Sequence, residues 1–229
     1  MTYFSLNEKV NIDVTSQTNA RQVTLPERTN DLATLLRSRR SVRIYQDRPV
    51  AREALEQMLE AARWAPSPHG RQPWRFAVLT RQEPKTQLAE SMGTDWKKNL
   101  QMDGQNEEIV AIRLEKSRQR ILNAPAIIIP CLYLEDLDHY PDEKRQADET
   151  VMAIQSLGAA IQNMLLTAYD LGLDTGWMCA PLFCPEIVCE TLGLDKRLIP
   201  QALITVGYAA ADPRRRERLP LDRLIVHFD

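Results

Sequence analysis

Four arginines fall within the seven residues Arg37-Ser38-Arg39-Arg40-Ser41-Val42-Arg43 of a 229-residue chain whose formal net charge is −2. A guanidinium presents a rigid, planar fork of donors that meets two phosphate oxygens at once, and a serine hydroxyl adds one more donor. The stretch therefore suits a phosphorylated ligand. It also suits the end of a helix, where cations complement the dipole, because Asn30 to Leu36 reads as a helix leading into it. The residues alone leave both uses open. A second basic run, Arg214-Arg215-Arg216-Glu217-Arg218, lies near the other end of the chain.

Other residues able to do chemistry are scattered. Cys179, Cys184 and Cys189 are spaced by five, Cys131 stands apart, and none forms a C-x-x-C pair. His69, His139 and His227 are far from them in sequence, so neither a metal site nor a disulfide framework is expected. No serine-histidine-aspartate or paired-carboxylate pattern is evident. The nearly balanced charge argues against a dedicated nucleic-acid binder, which carries a basic excess.

The elements that must position the arginines can be read in order. Residues Met1 to Arg28 are polar and without periodicity, which predicts an extended or disordered arm (1–28) before a folded domain (29–229). Asn30 is a suitable cap for a helix with Leu32, Leu35 and Leu36 at helical spacing. In Arg52 to Trp64, Leu55, Met58, Leu59 and Ala62 mark one buried helical face. Between Ala65 and Trp74, three prolines and Gly70 in ten residues enforce a stiff loop, and Trp74 to Thr80 continues as a strand. Helices are expected near Pro84 to Met92 and Asn106 to Ile121, the latter with a narrow stripe at Ile109, Ile112 and Lys116. Ala126 to Leu134 reads as a buried strand in which Pro130 implies an edge or a bulge.

The longest periodic segment, Glu149 to Leu171, places Val151, Ile154, Leu157, Ile161, Leu165 and Ala168 on one side and ends at Gly172 as a left-handed cap. A short strand from Thr175 to Cys179, a helix from Pro185 to Leu192 closed by Gly193, a strand from Ala202 to Tyr208 and a terminal strand from Leu224 to Phe228 complete the reading. Hydrophobic residues at 44% and charged residues at 26% describe an ordinary globular chain able to build one core. Met1 to Lys9 lacks a secretory pattern and no apolar run approaches the ~20 residues of a membrane span, so a cytoplasmic protein without a membrane partner is expected.

The order Arg-Arg-Ser-x-Arg, then an Ala-Pro-Ser loop ending in Gln-Pro-Trp, then a long small-residue helix ending in Gly-Leu, resembles the FMN-dependent nitroreductase family from about Leu32 to Phe228. The loop Pro66-Ser67-Pro68-His69 with Arg71 and Pro73 is similar to the reductase-like domain of the bacterial deazaflavin-coenzyme glutamyl ligase. The resemblance implies an α+β three-layer sandwich, a mixed and mainly antiparallel sheet flanked by helices, in an intertwined homodimer. It implies that Arg39, Arg40, Ser41 and Arg43 grip FMN, that Arg216 and Arg218 complete the phosphate site, and that Pro66, Ser67 and Pro68 lie against the flavin of the other subunit. Gly70 stands where many members have an asparagine that touches the flavin. Met178, Cys179 and Ala180 match the turn whose backbone approaches the reactive ring nitrogen, and His69 is a candidate substrate contact. The activity implied is transfer of reducing equivalents from NAD(P)H through FMN to a flat, electron-poor acceptor such as a nitroaromatic or quinone. The alternatives are a reductase of a deazaflavin-type or other heterocyclic intermediate, and a flavin-binding protein without turnover.

Overall fold

A computed structural model of the chain describes residues 31–213 and 217–229. Residues 1–28, read as an arm, lie outside them, as does Asn30. The first helix, α1 (Leu32–Ser38), is instead capped by Asp31, whose carboxylate accepts from the Thr34 amide at 2.9 Å.

The remaining elements are α2 (Arg52–Arg63), β1 (Trp74–Leu79), α3 (Gln82–Met102), α4 (Glu107–Leu122), β2 (Ala126–Tyr133), α5 (Glu143–Asp170), β3 (Asp174–Met178), α6 (Pro185–Leu192), β4 (Leu198–Pro200) and β5 (Leu203–Gly207). The strands form one sheet in the order β1-β2-β5-β3, with β4 also on β2, and every ladder is antiparallel. Strand β2 is buried on both faces, which is why its sequence is a continuous apolar run. Its alternation feeds two cores. Ala126, Ile128 and Leu132 pack with α2 and α5, whereas Ile127, Ile129 and Cys131 pack with α3, α4 and α6. This is the expected three-layer α+β sandwich.

Several expectations are corrected. Pro130 is on a central strand rather than an edge, and of the two readings the bulge holds: it pairs with Phe76 of β1, while on its other side the register slips by one residue between β4, where Cys131 faces Pro200, and β5, where Ile128 faces Ile204. The interruption spares it a ladder donor, and its carbonyl still accepts from the Gln201 amide at 2.9 Å. On α4, Ile109 and Ile112 are exposed, and Val110 and Ile121 are the buried residues. On α5, Val151 and Ile154 face outward at 50% and 46% exposure, so only Leu157, Ile161, Leu165 and Ala168 of the predicted stripe enter the core, joined by Ala153, Ala160 and Met164. Helix α5 also begins six residues earlier than expected, at Glu143, and at 28 residues it is long and apolar enough to cross a membrane. Its core face packs on α2, pinned by the Asn163 side chain donating to the Ala61 carbonyl at 3.1 Å. Leu224 to Phe228 forms no strand, and Leu224, Ile225, Val226 and Phe228 are exposed.

Candidate active site

After α1 the chain becomes a strap laid against the edge of the sheet. Ser41 bridges to Thr175 of β3, and the Val42 amide donates to the Thr175 carbonyl at 2.8 Å. Two internal features hold the strap there. The buried Tyr45 hydroxyl donates to the Val42 carbonyl at 2.9 Å and lies 2.7 Å from the Thr205 hydroxyl. Gly176 permits the approach, since a Cβ there would sit 2.4 Å from the Val42 carbonyl oxygen and 2.7 Å from Thr205 Oγ1. A glycine inside a strand was the local sign of this contact, and the sequence reading missed it.

The four arginines then have different fates. Arg40 donates to the carbonyls of Arg37 and Arg39, so its guanidinium serves the helix end. Arg39 is half-buried, its Nε is buried without a hydrogen-bond partner, and it forms no ion pair among the described residues. Burial first, then repulsion from Arg218 and Arg40, hold its guanidinium below the usual arginine range. Arg218, distant in sequence, thus lies near enough to repel Arg39, and among the described residues no carboxylate offsets that repulsion. Such an arrangement is costly in an empty protein and is relieved by an anion. Arg216 lies outside the described residues.

Arg43, next along the strap, lines a cavity of about 1010 Å³ that also takes in Arg48, Lys85, Lys116, Gln119 and Arg120. Lys116, Gln119 and Arg120 recur at helical spacing on α4, a polar face that the sequence reading did not assign to the site. Lys85, only 4% exposed, donates to the Ala124 carbonyl at 2.8 Å, and burial pushes its ammonium pKa down. The cavity is large enough for a mononucleotide cofactor, and its charged lining is mainly cationic, with Arg43, Arg48, Lys85, Lys116 and Arg120 against Asp47 and Glu115.

The other predicted residues divide between the two edges of the sheet. Met178 closes β3, and Cys179 and Ala180 follow it, exposed at the start of a 3₁₀ turn. Pro66, Ser67, Pro68, His69 and Gly70 precede β1, on the opposite edge. Three strand spacings, about 14 Å, separate those edges. The β1-side loop is tightly built: His69, Gly70 and Gln72 have positive φ of 52°, 66° and 51°, and the Gln72 amide donates to Ser67 Oγ at 3.1 Å. His69 is exposed, with Nε2 3.9 Å from a carboxylate oxygen of Asp138.

The nitroreductase family model matches residues 36–208. The chain is 26% identical over 190 residues to "Putative NAD(P)H nitroreductase YfhC" of Bacillus subtilis, covering 83% of this chain and 90% of that one. It is 28% identical over 210 residues to "Putative NAD(P)H nitroreductase YdgI" of the same organism, covering 86% and 97%. Among solved structures it is similar to a nitroreductase-type protein from Desulfovibrio desulfuricans in complex with FMN, with a TM-score of 0.67, 28% identity and coverage of 88% and 99%.

Proposed function

The chain belongs to the nitroreductase family, and from that premise we propose that it is an NAD(P)H-dependent FMN oxidoreductase that reduces a flat, electron-poor acceptor such as a nitroaromatic or quinone. The observation that carries this reading is the buried, unpartnered Arg39 Nε, repelled by Arg218, at the head of a strap whose Arg43 lines a cavity with Arg48, Lys85, Lys116 and Arg120. These residues fit a flavin mononucleotide: one doubly charged end needs paired guanidiniums, and a polar ring edge needs donors a few residues further on. FMN, when bound, supplies the two-electron chemistry, and the protein supplies binding, orientation and charge.

In this reading Arg39 and Arg218 hold the phosphate, and the exposed Ser41 hydroxyl meets the ribityl side. Arg43, with Lys116 and Arg120 across the cavity, places positive charge at the pyrimidine edge, where electron density rises on reduction. The backbone amides of the turn at Cys179 and Ala180 face the reacting side of the ring. No acid–base dyad is required of the chain.

The opposite placement of Pro66 to Gly70 supports a homodimer. The residues beside β1 that line the cavity are those after it, Thr80, Gln82 and Lys85, whereas Pro66 to Gly70 lie before it, a strand's length of about 20 Å away, so a second copy is better placed to present this wall. Exposed apolar residues Leu32 and Leu36 of α1, and Val151 and Ile154 of α5, offer the surface such a dimer buries. His69, exposed on that loop, then faces the acceptor.

The test is a visible spectrum of the purified protein, followed by anaerobic addition of NADH or NADPH. A yellow protein bleached by nicotinamide is the expected result. A protein that stays colourless after incubation with FMN would overturn the reading. Arg43→Ala is expected to weaken FMN binding about tenfold to a hundredfold, the worth of one charge-assisted hydrogen bond; full occupancy in that variant removes Arg43 from the site.

A further inference from the structure

We propose that Asp138 is a positioning residue for the loop carrying Pro66 to Gly70, an inference that rests on that loop being the wall of a flavin site. The loop holds three residues at positive φ, and two of them, His69 and Gln72, are not glycine. Side chains with a Cβ rarely adopt this conformation, so something outside the loop must hold it. The bonds within the loop, Gly70 amide to Ser67 carbonyl at 3.1 Å and Arg71 amide to Pro68 carbonyl at 3.1 Å, travel with it. Outside the loop, the Tyr133 amide of β2 donates to the Pro73 carbonyl at 3.0 Å and α5 packs on the turn, but the charged restraint comes from the segment between β2 and α5.

That segment is anchored by Leu137, which is 6% exposed in the core, and by its amide donating to the Leu134 carbonyl at 3.1 Å. On either side of the anchor it presents a carboxylate. Asp138 accepts from the Arg71 guanidinium through one oxygen and has its other oxygen 3.9 Å from His69 Nε2. Asp136 accepts from Arg75 at 2.9 Å, and Arg75 in turn donates to the Gln72 carbonyl at 3.2 Å. Gln72 is thus held from both sides, by Arg71 before it and Arg75 after it. Asp138 acts on His69, one of the two strained residues, and on Arg71, which adjoins the other, and it touches neither the cavity beside Arg43 nor the turn at Cys179. Removing it lets the loop relax towards ordinary φ values, so that only a fraction of molecules presents the wall.

The experiment compares wild type, Asp138→Ala, Gln72→Gly and the double variant in the full chain. It uses FMN content, kcat/KM with NADPH and menadione, and hydrogen exchange of the peptide covering residues 67–74. Asp138→Ala is expected to keep its FMN, to exchange the amides of this loop about tenfold faster, and to lose about tenfold in kcat/KM. Gln72→Gly removes the Cβ that opposes positive φ, so in the double variant it is expected to restore kcat/KM to within about threefold of wild type. Unchanged kcat/KM in Asp138→Ala, or no recovery in the double variant, overturns the role. Loss of FMN from Asp138→Ala also overturns it, because the carboxylate would then be supporting the fold at large. A wild-type protein that takes up no FMN instead overturns the flavin reading from which this one starts.

Discussion

Replacing Arg39 by methionine distinguishes a residue that supports the fold from one kept for an anion. Its Nε is buried without a partner, and its neighbours Arg218 and Arg40 repel it. Because burial and repulsion move its pKa downward, the charged form is the one the folded state disfavours, and removing the charge relieves the fold. Methionine keeps the length and apolar stem of the side chain. The protein without FMN is therefore expected to melt at the wild-type temperature or slightly above it. FMN binding moves the other way. A hydrogen bond to a charged group contributes about 1.5 to 3 kcal/mol, and each 1.4 kcal/mol is tenfold in affinity, so the dissociation constant is expected to rise about tenfold to a hundredfold. Titrating FMN into flavin-free protein, followed by flavin fluorescence, measures the second quantity, and thermal melting without FMN measures the first. A variant that melts several degrees lower yet binds FMN as wild type does would refute the argument, since Arg39 would then be structural.

Gly176→Ala drives a Cβ to 2.4 Å from the Val42 carbonyl oxygen and 2.7 Å from Thr205 Oγ1, so the strap must lift from β3; a loss of about 2 to 3 kcal/mol in urea unfolding is expected, and an unchanged midpoint would show that the strap is not held against this strand. In alkali, burial pushes the Cys131 thiol up to about 12 and the Cys184 thiol to about 11, and burial also raises Tyr45. The unfolded thiols ionise from about pH 9 upward while the folded ones stay neutral, so stability falls as pH rises through that window. A melting temperature that is flat from about pH 8.5 to 10.5 contradicts this, whereas Cys131→Val should flatten a sloping one. Ile154→Glu, at a position 46% exposed in the single chain, is expected to halve the mass measured by light scattering; an unaltered dimer would place the contact elsewhere.

What the sequence by itself determined is local. The stripe of Leu55, Met58 and Ala62 on α2, the left-handed caps at Gly172 (φ 83°) and Gly193 (φ 62°), and the buried run of β2 are written in spacing and residue type, and they appear where those signals put them. The arginines of the strap were legible as a group, because phosphate chemistry needs that side chain. The division of labour among them was not. Arg40 turns back to the helix end while Arg39 is half-buried in the field of Arg218, and that difference depends on residues 179 positions apart. The same limit explains Pro130, whose place on a central strand is tolerated only because β4 and β5 leave a gap opposite it. It explains the outward turn of Val151 and Ile154, since a periodic stripe wider than the core it meets cannot say which part will be covered. Tertiary structure alone decided which edge of the sheet each candidate residue occupies, because strand order is set by pairing between distant segments and leaves no local trace in the chain.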